Sequence, residues 1–177
     1  LFDFAAGQFA VLGLRADAPR VRHAGADGEE ETAARPDRMI RRAYSIASSS
    51  KENEYLDFYV ALVNSGEFTP RLFALHPGDR LWLGPKATGL FTLEQVPADA
   101  NLYLIATGTG LAPYISMLRD GTPEAGGPQI VVAHGARFSW DLGYRKELES
   151  LAASSENIIY IPSITRGDQD ETWSGET

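Results

Sequence analysis

Residues 104–118 read LIATGTGLAPYISML, and this stretch indicates how the second half of the chain folds. An apolar run leads into two glycines, at positions 108 and 110, and a proline follows at position 113. Proline is favoured in the first turn of a helix, where its missing N–H costs nothing. The pattern therefore predicts a buried strand, a glycine loop, and a helix that begins near Pro113.

The glycine loop itself suggests a ligand. Glycines at the carboxyl end of a strand let a phosphate approach the backbone closely, and the helix that follows offers free N–H groups. This is the logic of a dinucleotide-binding loop, although the spacing of GTGLAP differs from the usual GxGxxG. A tight strand-to-helix turn is the alternative. Because a threonine–glycine alternation is unusual for a turn alone, we favour a phosphate or nucleotide loop.

The residues around this stretch continue the alternation of strands and helices. Apolar runs bounded by glycine at Leu102–Ala106 and Ile130–Ala133 are typical of buried parallel strands. Helical spacing is present at Tyr114–Leu118 and Tyr144–Leu151. We therefore predict a parallel α/β domain over residues 98–177, truncated at its carboxyl end.

Residues 1–97 carry a different pattern, in which short β-type runs are separated by turn residues. We predict a small antiparallel β-barrel that lacks its first strand, and we place the domain boundary near residue 97. Residues 16–38 are rich in alanine, glycine and charge, which is typical of a surface loop. The predicted strands are Gln8–Leu14, Arg42–Ala47, Leu56–Val63 and Arg80–Leu83, and residues 70–75 are expected to form a helical turn.

Composition restricts the classes of function. A formal net charge of −8 argues against nucleic acid as the main partner. No apolar run is long enough to cross a membrane, so we expect a soluble protein. We also expect the protein to be cytoplasmic and monomeric. The sequence has no cysteine, which excludes disulfides, cysteine nucleophiles and cysteine-ligated iron–sulfur clusters within it. The three histidines show no ligand spacing, so we predict no metal site, and no Ser/His/Asp set indicates a hydrolase.

Residues 41–50, RRAYSIASSS, raise a second possible site. Side chains two apart share a face of a strand, so Arg42 and Tyr44 are expected to point the same way. A cation beside a flat ring suits a ligand that has both an anionic group and an aromatic plane. From this stretch alone, a surface pairing of arginine with tyrosine that binds nothing is the commoner explanation.

Two arginines lie just after predicted strands of the second half. Arg137 follows the strand at Ile130–Ala133, and Arg166 follows a strand at Ile158–Ile161. Open α/β sheets bind ligands at this edge. A guanidinium suits a phosphate monoester because it donates parallel hydrogen bonds, which favours NADPH, with its 2′-phosphate, over NADH. Two unrelated surface arginines are the alternative.

Five motifs, taken in order, resemble the ferredoxin–NADP reductase family, and in particular its bacterial flavodoxin/ferredoxin–NADP reductases. The motifs are RAYS (42–45), GEFTPRL (66–72), ATGTGLAPY (106–114), HGAR (134–137) and TR (165–166). They span nearly the whole chain except residues 16–38. The resemblance implies an antiparallel FAD-binding barrel followed by a parallel NADP-binding α/β domain.

The resemblance also implies roles for individual residues. Arg42 would hold the FAD pyrophosphate, Tyr44 would lie against the isoalloxazine, and Ser45 would place its hydroxyl near N5, the atom that exchanges hydride with nicotinamide. Thr109 would sit where flavin and nicotinamide meet, so the candidate catalytic residues are Tyr44, Ser45 and Thr109. The other implied flavin-binding residues are Ala43, Phe58, Tyr59, Val60, Glu67, Phe68 and Thr69. The other implied NADP-binding residues are Gly108, Gly110, Pro113, Ala136, Arg137, Thr165 and Arg166.

The activity that the resemblance implies is electron transfer between NADPH and ferredoxin or flavodoxin through FAD. Two alternatives stay open: the reductase component of an oxygenase system, and a flavin- or nucleotide-binding module without turnover. Residues 1–97 carry 11 basic and 13 acidic groups, whereas residues 98–177 carry 5 and 11. Because ferredoxins and flavodoxins are acidic, we expect the carrier to dock on the first half, around Arg35, Arg38 and Arg41.

Overall fold

The computed structural model describes residues 2–21 and 37–166, together with Trp173 and Gly175. This described part holds two three-stranded sheets, one in each half of the chain, and none of its helices is long and apolar enough to span a membrane. The elements are β1 (Phe9–Arg15), β2 (Met39–Ser45), α1 (Thr69–Leu72), β3 (Trp82–Leu83), β4 (Leu102–Thr107), α2 (Ala112–Asp120), β5 (Ile130–Ala136), α3 (Arg145–Ser154) and β6 (Ile158–Ile164), with 3₁₀ turns at Gly108–Leu111 and Ser139–Asp141.

The first sheet is antiparallel, in the order β2-β1-β3. β1 is its centre and pairs with β2 along its whole length, from Phe9 opposite Ser45 to Arg15 opposite Met39. One face of β1 is buried in a small apolar cluster. The antiparallel topology was predicted, but the described residues form an open sheet and not a closed barrel. β3 is too short to continue the sheet around, since only two residues of it pair with β1.

The prediction of a strand over Leu56–Val63 is wrong. In this segment the described residues make a single isolated bridge, between Ile46 and Phe58. Side chains take the place of a neighbouring strand: the hydroxyl of Ser48 accepts the N–H of Asp57, and that of Thr69 accepts the N–H of Val63. Because the N–H groups of Asp57 and Val63 are hydrogen-bonded in this way, the β-type run in the sequence does not form a ladder of strand hydrogen bonds.

The second sheet is parallel, in the order β4-β5-β6, as the sequence predicts. Its register sets Thr107 opposite Gly135 and Ala136 opposite Ile164, so the carboxyl ends of all three strands meet at one edge. α2 and α3 bury one face of the sheet in the larger of the two apolar clusters. The residues of that cluster that are least exposed are Ala47, Leu111, Ile115, Val132 and Leu148.

The two halves are in contact through α2. Ala47, two residues after the end of β2, belongs to the apolar cluster of the second half. The buried hydroxyl of Ser116 on α2 donates to the carbonyl of Ser48 at 2.7 Å. The domain boundary near residue 97 stays a prediction; residue 97 lies between β3 and β4.

Candidate functional site

β2 directs Arg42 and Tyr44 to the same side of the first sheet. The Nη2 atom of Arg42 lies 3.9 Å from Oε2 of Glu67, and the ring of Tyr44 lies 5.7 Å from that of Phe68. Arg41, which precedes Arg42 in sequence, has its guanidinium 4.6 Å from the ring centroid of Trp82 on β3. Arg42 and Tyr44 therefore share a face through their common contact with residues 67 and 68, as the period of a strand predicts.

This face is partly open to solvent. The side chain of Arg42 is 53% exposed and uses one of its five donors on the carbonyl of Arg41, at 2.8 Å. Partial burial raises the pKa of Tyr44, so its ring stays neutral. A hydrogen bond from Arg38 lowers the pKa of Glu67 and keeps its carboxylate charged beside Arg42. A guanidinium beside a half-buried ring fits a ligand with both an anionic and a planar part.

The GEFTPRL segment lies against this face, and two of its polar side chains, Thr69 and Arg71, are hydrogen-bonded to the backbone. The hydroxyl of Thr69 accepts the N–H of Val63 at 2.9 Å and donates to its carbonyl at 3.1 Å. Arg71, which the sequence analysis missed, is buried and donates to the carbonyls of Ala16 and Glu67. An arginine in an otherwise apolar helical turn was the available signal. Arg71 holds the Glu67–Thr69 backbone against the entry to residues 16–38.

Phe58 and Tyr59 point in different directions. Phe58 packs against the small cluster of the first half. Tyr59 faces the second half: its hydroxyl donates to the carbonyl of Asp141 at 2.6 Å and accepts the N–H of Gly143 at 2.9 Å. Its ring meets that of Tyr144 edge-on at 5.4 Å, and burial raises its pKa. The structure therefore places Tyr59 between the halves, a contact that the sequence analysis did not anticipate.

The glycine loop lies at the carboxyl end of β4, in the 3₁₀ turn Gly108–Leu111. Gly108 has a φ of +50°, in the left-handed region that favours glycine. A Cβ placed on Gly108 or Gly110 would meet no atom within 4 Å, so both backbones face open space. Thr109 lies between them and is half-buried, whereas Pro113 is buried in the first turn of α2. The arrangement leaves room for a ligand against the loop backbone.

His134 supports this loop from inside the sheet. It is fully buried on β5, and its Nε2 lies 3.2 Å from the carbonyl of Gly108. A carbonyl only accepts, so Nε2 carries the proton and donates it. Burial lowers the pKa of His134 and keeps the ring neutral. No role for this histidine is predicted from the sequence, because the predicted strand ends at Ala133, whereas β5 continues to Ala136.

Arg137 and Arg166 lie side by side at the same edge. The N–H of Arg166 donates to the carbonyl of Arg137 at 3.0 Å, and the N–H of Thr165 donates to Ala136 at 3.2 Å. Both arginines are exposed. Because β4, β5 and β6 end together, this pair shares an edge with the Gly108 turn. A loop of exposed backbone and two guanidiniums is a set of donors that suits phosphate groups.

The chain matches two domain families, one in each half. Residues 31–89 match the oxidoreductase FAD-binding domain, and residues 104–177 match the oxidoreductase NAD-binding domain. A flavodoxin/ferredoxin–NADP reductase of Escherichia coli is 35% identical over 93% of this chain. The chain is similar to the ferredoxin–NADP reductase family over most of its length. A second relative, a ferredoxin–NADP reductase of Azotobacter vinelandii, is 33% identical over 92% of the chain. The chain spans 58% of the length of each of these two reductases.

Solved structures show the same two-domain reductase fold. A ferredoxin–NADP⁺ reductase from Neisseria gonorrhoeae, with bound FAD and NADP, superposes with a TM-score of 0.73 at 26% identity, over 99% of this chain and 63% of its own. A cytochrome P450 reductase from Amycolatopsis superposes with a TM-score of 0.71 at 26% identity, over 99% of this chain and 47% of its own. The fold is thus shared by reductases that serve different electron acceptors.

Proposed function

We propose that the protein transfers electrons between NADPH and ferredoxin or flavodoxin through bound FAD. The observation that supports this most is the edge of the parallel sheet, where the Gly108 turn and the neighbouring Arg137 and Arg166 lie together. A pyrophosphate can use the loop backbone, and a 2′-phosphate can use the two guanidiniums. The matched domain families and the named relatives supply the flavin half of the proposal.

In the first half, the residues of β2 bind and orient the flavin. Bound FAD supplies the chemistry, since it takes a hydride from nicotinamide and releases electrons one at a time. Arg42 binds the pyrophosphate, Tyr44 covers the ring system, and Ser45 holds its hydroxyl near N5. The half-exposed guanidinium and half-buried ring on one face support these roles. The other residues of the proposed flavin site are Ala43, Phe58, Tyr59, Val60, Glu67, Phe68 and Thr69.

In the second half, the loop and strand ends bind the nucleotide. Gly108 and Gly110 let the pyrophosphate reach the backbone, and the nine-residue α2 presents its positive end to it. Thr109 lies where the nicotinamide would meet the flavin. Arg137 and Arg166 select NADP over NAD by binding the 2′-phosphate. The proposed site also contains Pro113, Ala136 and Thr165.

The acidic carrier docks on the first half, which is the less negative of the two. Arg38 pairs with Glu67 and Arg41 lies over Trp82, and both arginines are exposed. Arg35, the third arginine expected in this surface, lies outside the described residues. We also propose that the protein is cytoplasmic and monomeric. Size-exclusion chromatography with light scattering would check the monomeric state.

A second candidate is the reductase component of an oxygenase system. The similarity to the cytochrome P450 reductase from Amycolatopsis favours it. The two functions use the same flavin and nucleotide sites and differ in the acceptor. Reduction of ferredoxin or flavodoxin by the purified protein supports the first function, and exclusive reduction of an oxygenase partner supports the second.

The test of the nucleotide site compares NADP⁺ and NAD⁺ binding to single-arginine variants. Arg137→Ala and Arg166→Ala should each weaken the binding of NADP⁺ by roughly 1–3 kcal/mol, or about five- to 150-fold in affinity, because each removes charge-assisted hydrogen bonds to the 2′-phosphate. Binding of NAD⁺ should be nearly unchanged. Isothermal titration calorimetry measures both affinities. Arg80→Ala, an exposed arginine of the first half, is the matched control. Equal losses for the two nucleotides would contradict the proposed selectivity.

A further inference from the structure

Arg119, in the last turn of α2, is the centre of a charged cluster that joins the two halves. Its Nη1 donates to Oδ2 of Asp57 at 2.9 Å and to the carbonyl of Ala47 at 3.0 Å, both in the first half. Its Nε and Nη2 each donate to an oxygen of Glu147 on α3 at 2.8 Å. The guanidinium also lies 5.1 Å from the ring centroid of Tyr144.

The groups around Arg119 are matched to it in charge and geometry. The hydroxyl of Tyr144 donates to the same oxygen of Asp57 at 3.0 Å. Arg119 is 24% exposed, and Asp57 and Glu147 are 34% and 33% exposed. Hydrogen bonds to Glu147 and Asp57 raise the pKa of Arg119 further. A bidentate pair of this kind fixes orientation as well as distance, because both nitrogens must align with both oxygens.

Asp120, the next residue of α2, holds the following part of the same first-half segment. Its Oδ1 accepts the hydroxyl of Ser49 at 2.7 Å and the N–H of Ser50 at 2.6 Å, and its Oδ2 accepts the hydroxyl of Ser50 at 2.6 Å. The amine of Lys51 donates to the carbonyl of Asp120. Ser116, Arg119 and Asp120 of α2 therefore make hydrogen bonds with residues 47–51 at several successive positions.

The two ends of this connection lead directly to the two proposed sites. Residues 47–51 begin two positions after Ser45, at the end of β2. α2 begins directly after the Gly108–Leu111 turn, and its nine residues make a rod about 13 Å long. A helix of this length transmits a displacement of one end to the other, because its hydrogen bonds resist bending. The contacts of Arg119 thus set where the glycine loop lies relative to β2.

We propose that Arg119 is a positioning residue for hydride transfer, which holds the nucleotide loop in register with the flavin face of β2 through α2. The proposal rests on the function proposed above. Transfer between two rings needs the reacting atoms held within a narrow distance, and a displacement of about 1 Å can cost about 100-fold in rate. Ser116 and Asp120 support Arg119 in this role, and Asp57 supplies the countercharge on the flavin side.

The test uses the FAD-loaded protein mixed rapidly with NADPH in the absence of oxygen. Arg119→Gln should bind FAD and NADP⁺ within about twofold of wild type and reach full flavin bleaching, but bleach about 10- to 100-fold more slowly. Arg119→Lys keeps the charge but not the bidentate geometry, so its bleaching rate should lie between those of wild type and Arg119→Gln. In the absence of nucleotide, hydrogen exchange at residues 48–50 should be faster in Arg119→Gln than in wild type, because their anchor to α2 is weakened.

Arg145→Gln is the matched control, since Arg145 pairs with Glu149 within α3 and should leave the bleaching rate unchanged. If Arg119→Gln does not fold, Asp120→Asn replaces it and should slow bleaching about two- to tenfold, the effect of one weakened hydrogen bond. A purely structural role predicts a smaller bleaching amplitude at the wild-type rate, and that result would overturn the proposal, as would unchanged hydrogen exchange. If wild-type flavin is not bleached by NADPH, the proposed function fails and the positioning role falls with it.

Discussion

The two halves of the molecule differ in what forms their proposed sites. In the second half, the proposed site is made largely of backbone: a glycine with a φ of +50°, and strand ends whose register brings Arg137 beside Arg166. In the first half, the proposed site is made of side chains on an open sheet, in which Arg42 and Tyr44 meet Glu67 and Phe68. A site formed by backbone therefore follows from the fold alone, whereas a site formed by side chains depends on partners distant in sequence.

The largest effect that separates the halves is expected from Arg42→Ala. Loss of the guanidinium that contacts the pyrophosphate should weaken FAD binding by about 1.5–3 kcal/mol, or about ten- to 150-fold. The binding of FMN, which lacks the pyrophosphate, should weaken far less. Fluorescence titration of the apoprotein with each flavin measures this difference. Arg41→Ala is the control, because Arg41 lies on the opposite face, over Trp82. An equal loss of affinity for FAD in both variants would contradict the proposal that the flavin binds on one face of β2.

A smaller effect is expected from the buried histidine of the second half. Burial lowers the pKa of His134 in the folded protein, so the unfolded chain binds the proton more readily as the pH falls. His134 therefore stabilises the fold above its ordinary pKa near 6.5, and this contribution is lost as the pH falls below it, by at most about 1.4 kcal/mol per pH unit.

Chemical denaturation between about pH 8 and pH 5.5, on either side of that pKa, tests this dependence. His134→Gln has no proton to gain and should show a flatter dependence than wild type over this range. Its amide can still donate to the carbonyl of Gly108. Identical pH slopes for the two proteins would mean that His134 is protonated as easily in the folded state as in the unfolded chain.

The sequence predicts the second half better than the first, for a physical reason. The apolar runs at Leu102–Thr107 and Ile130–Ala136 pair as neighbouring parallel strands, so their apolar character alone identifies them. The expectation that both are buried is only partly met, because Tyr103 and Ile105 of the first run are exposed. The segment Leu56–Val63 is similarly apolar but forms no strand, because the N–H groups of Asp57 and Val63 bond to the hydroxyls of Ser48 and Thr69 and not to a neighbouring strand. Propensity cannot register such partners.

The candidate site residues follow the same division. Arg137 and Arg166 could be placed together from the order of strands, since both follow strands of one parallel sheet. The contact of Tyr59 with Asp141 and Gly143 could not, because it crosses between the halves. The contacts of Arg119 could not be predicted from the sequence for the same reason. Its partners Asp57 and Glu147 lie 62 and 28 residues away, and no local pattern connects them.

In the proposed function, one half of the molecule holds a flavin and the other brings a nicotinamide nucleotide to it. Anaerobic mixing of the FAD-loaded protein with one equivalent of NADPH, followed by the flavin absorbance, tests this division. The yellow absorbance should be bleached in a single turnover, faster with NADPH than with NADH, and should return when oxidised ferredoxin or flavodoxin is added. A protein that binds FAD but whose flavin stays oxidised with NADPH would contradict the proposed function.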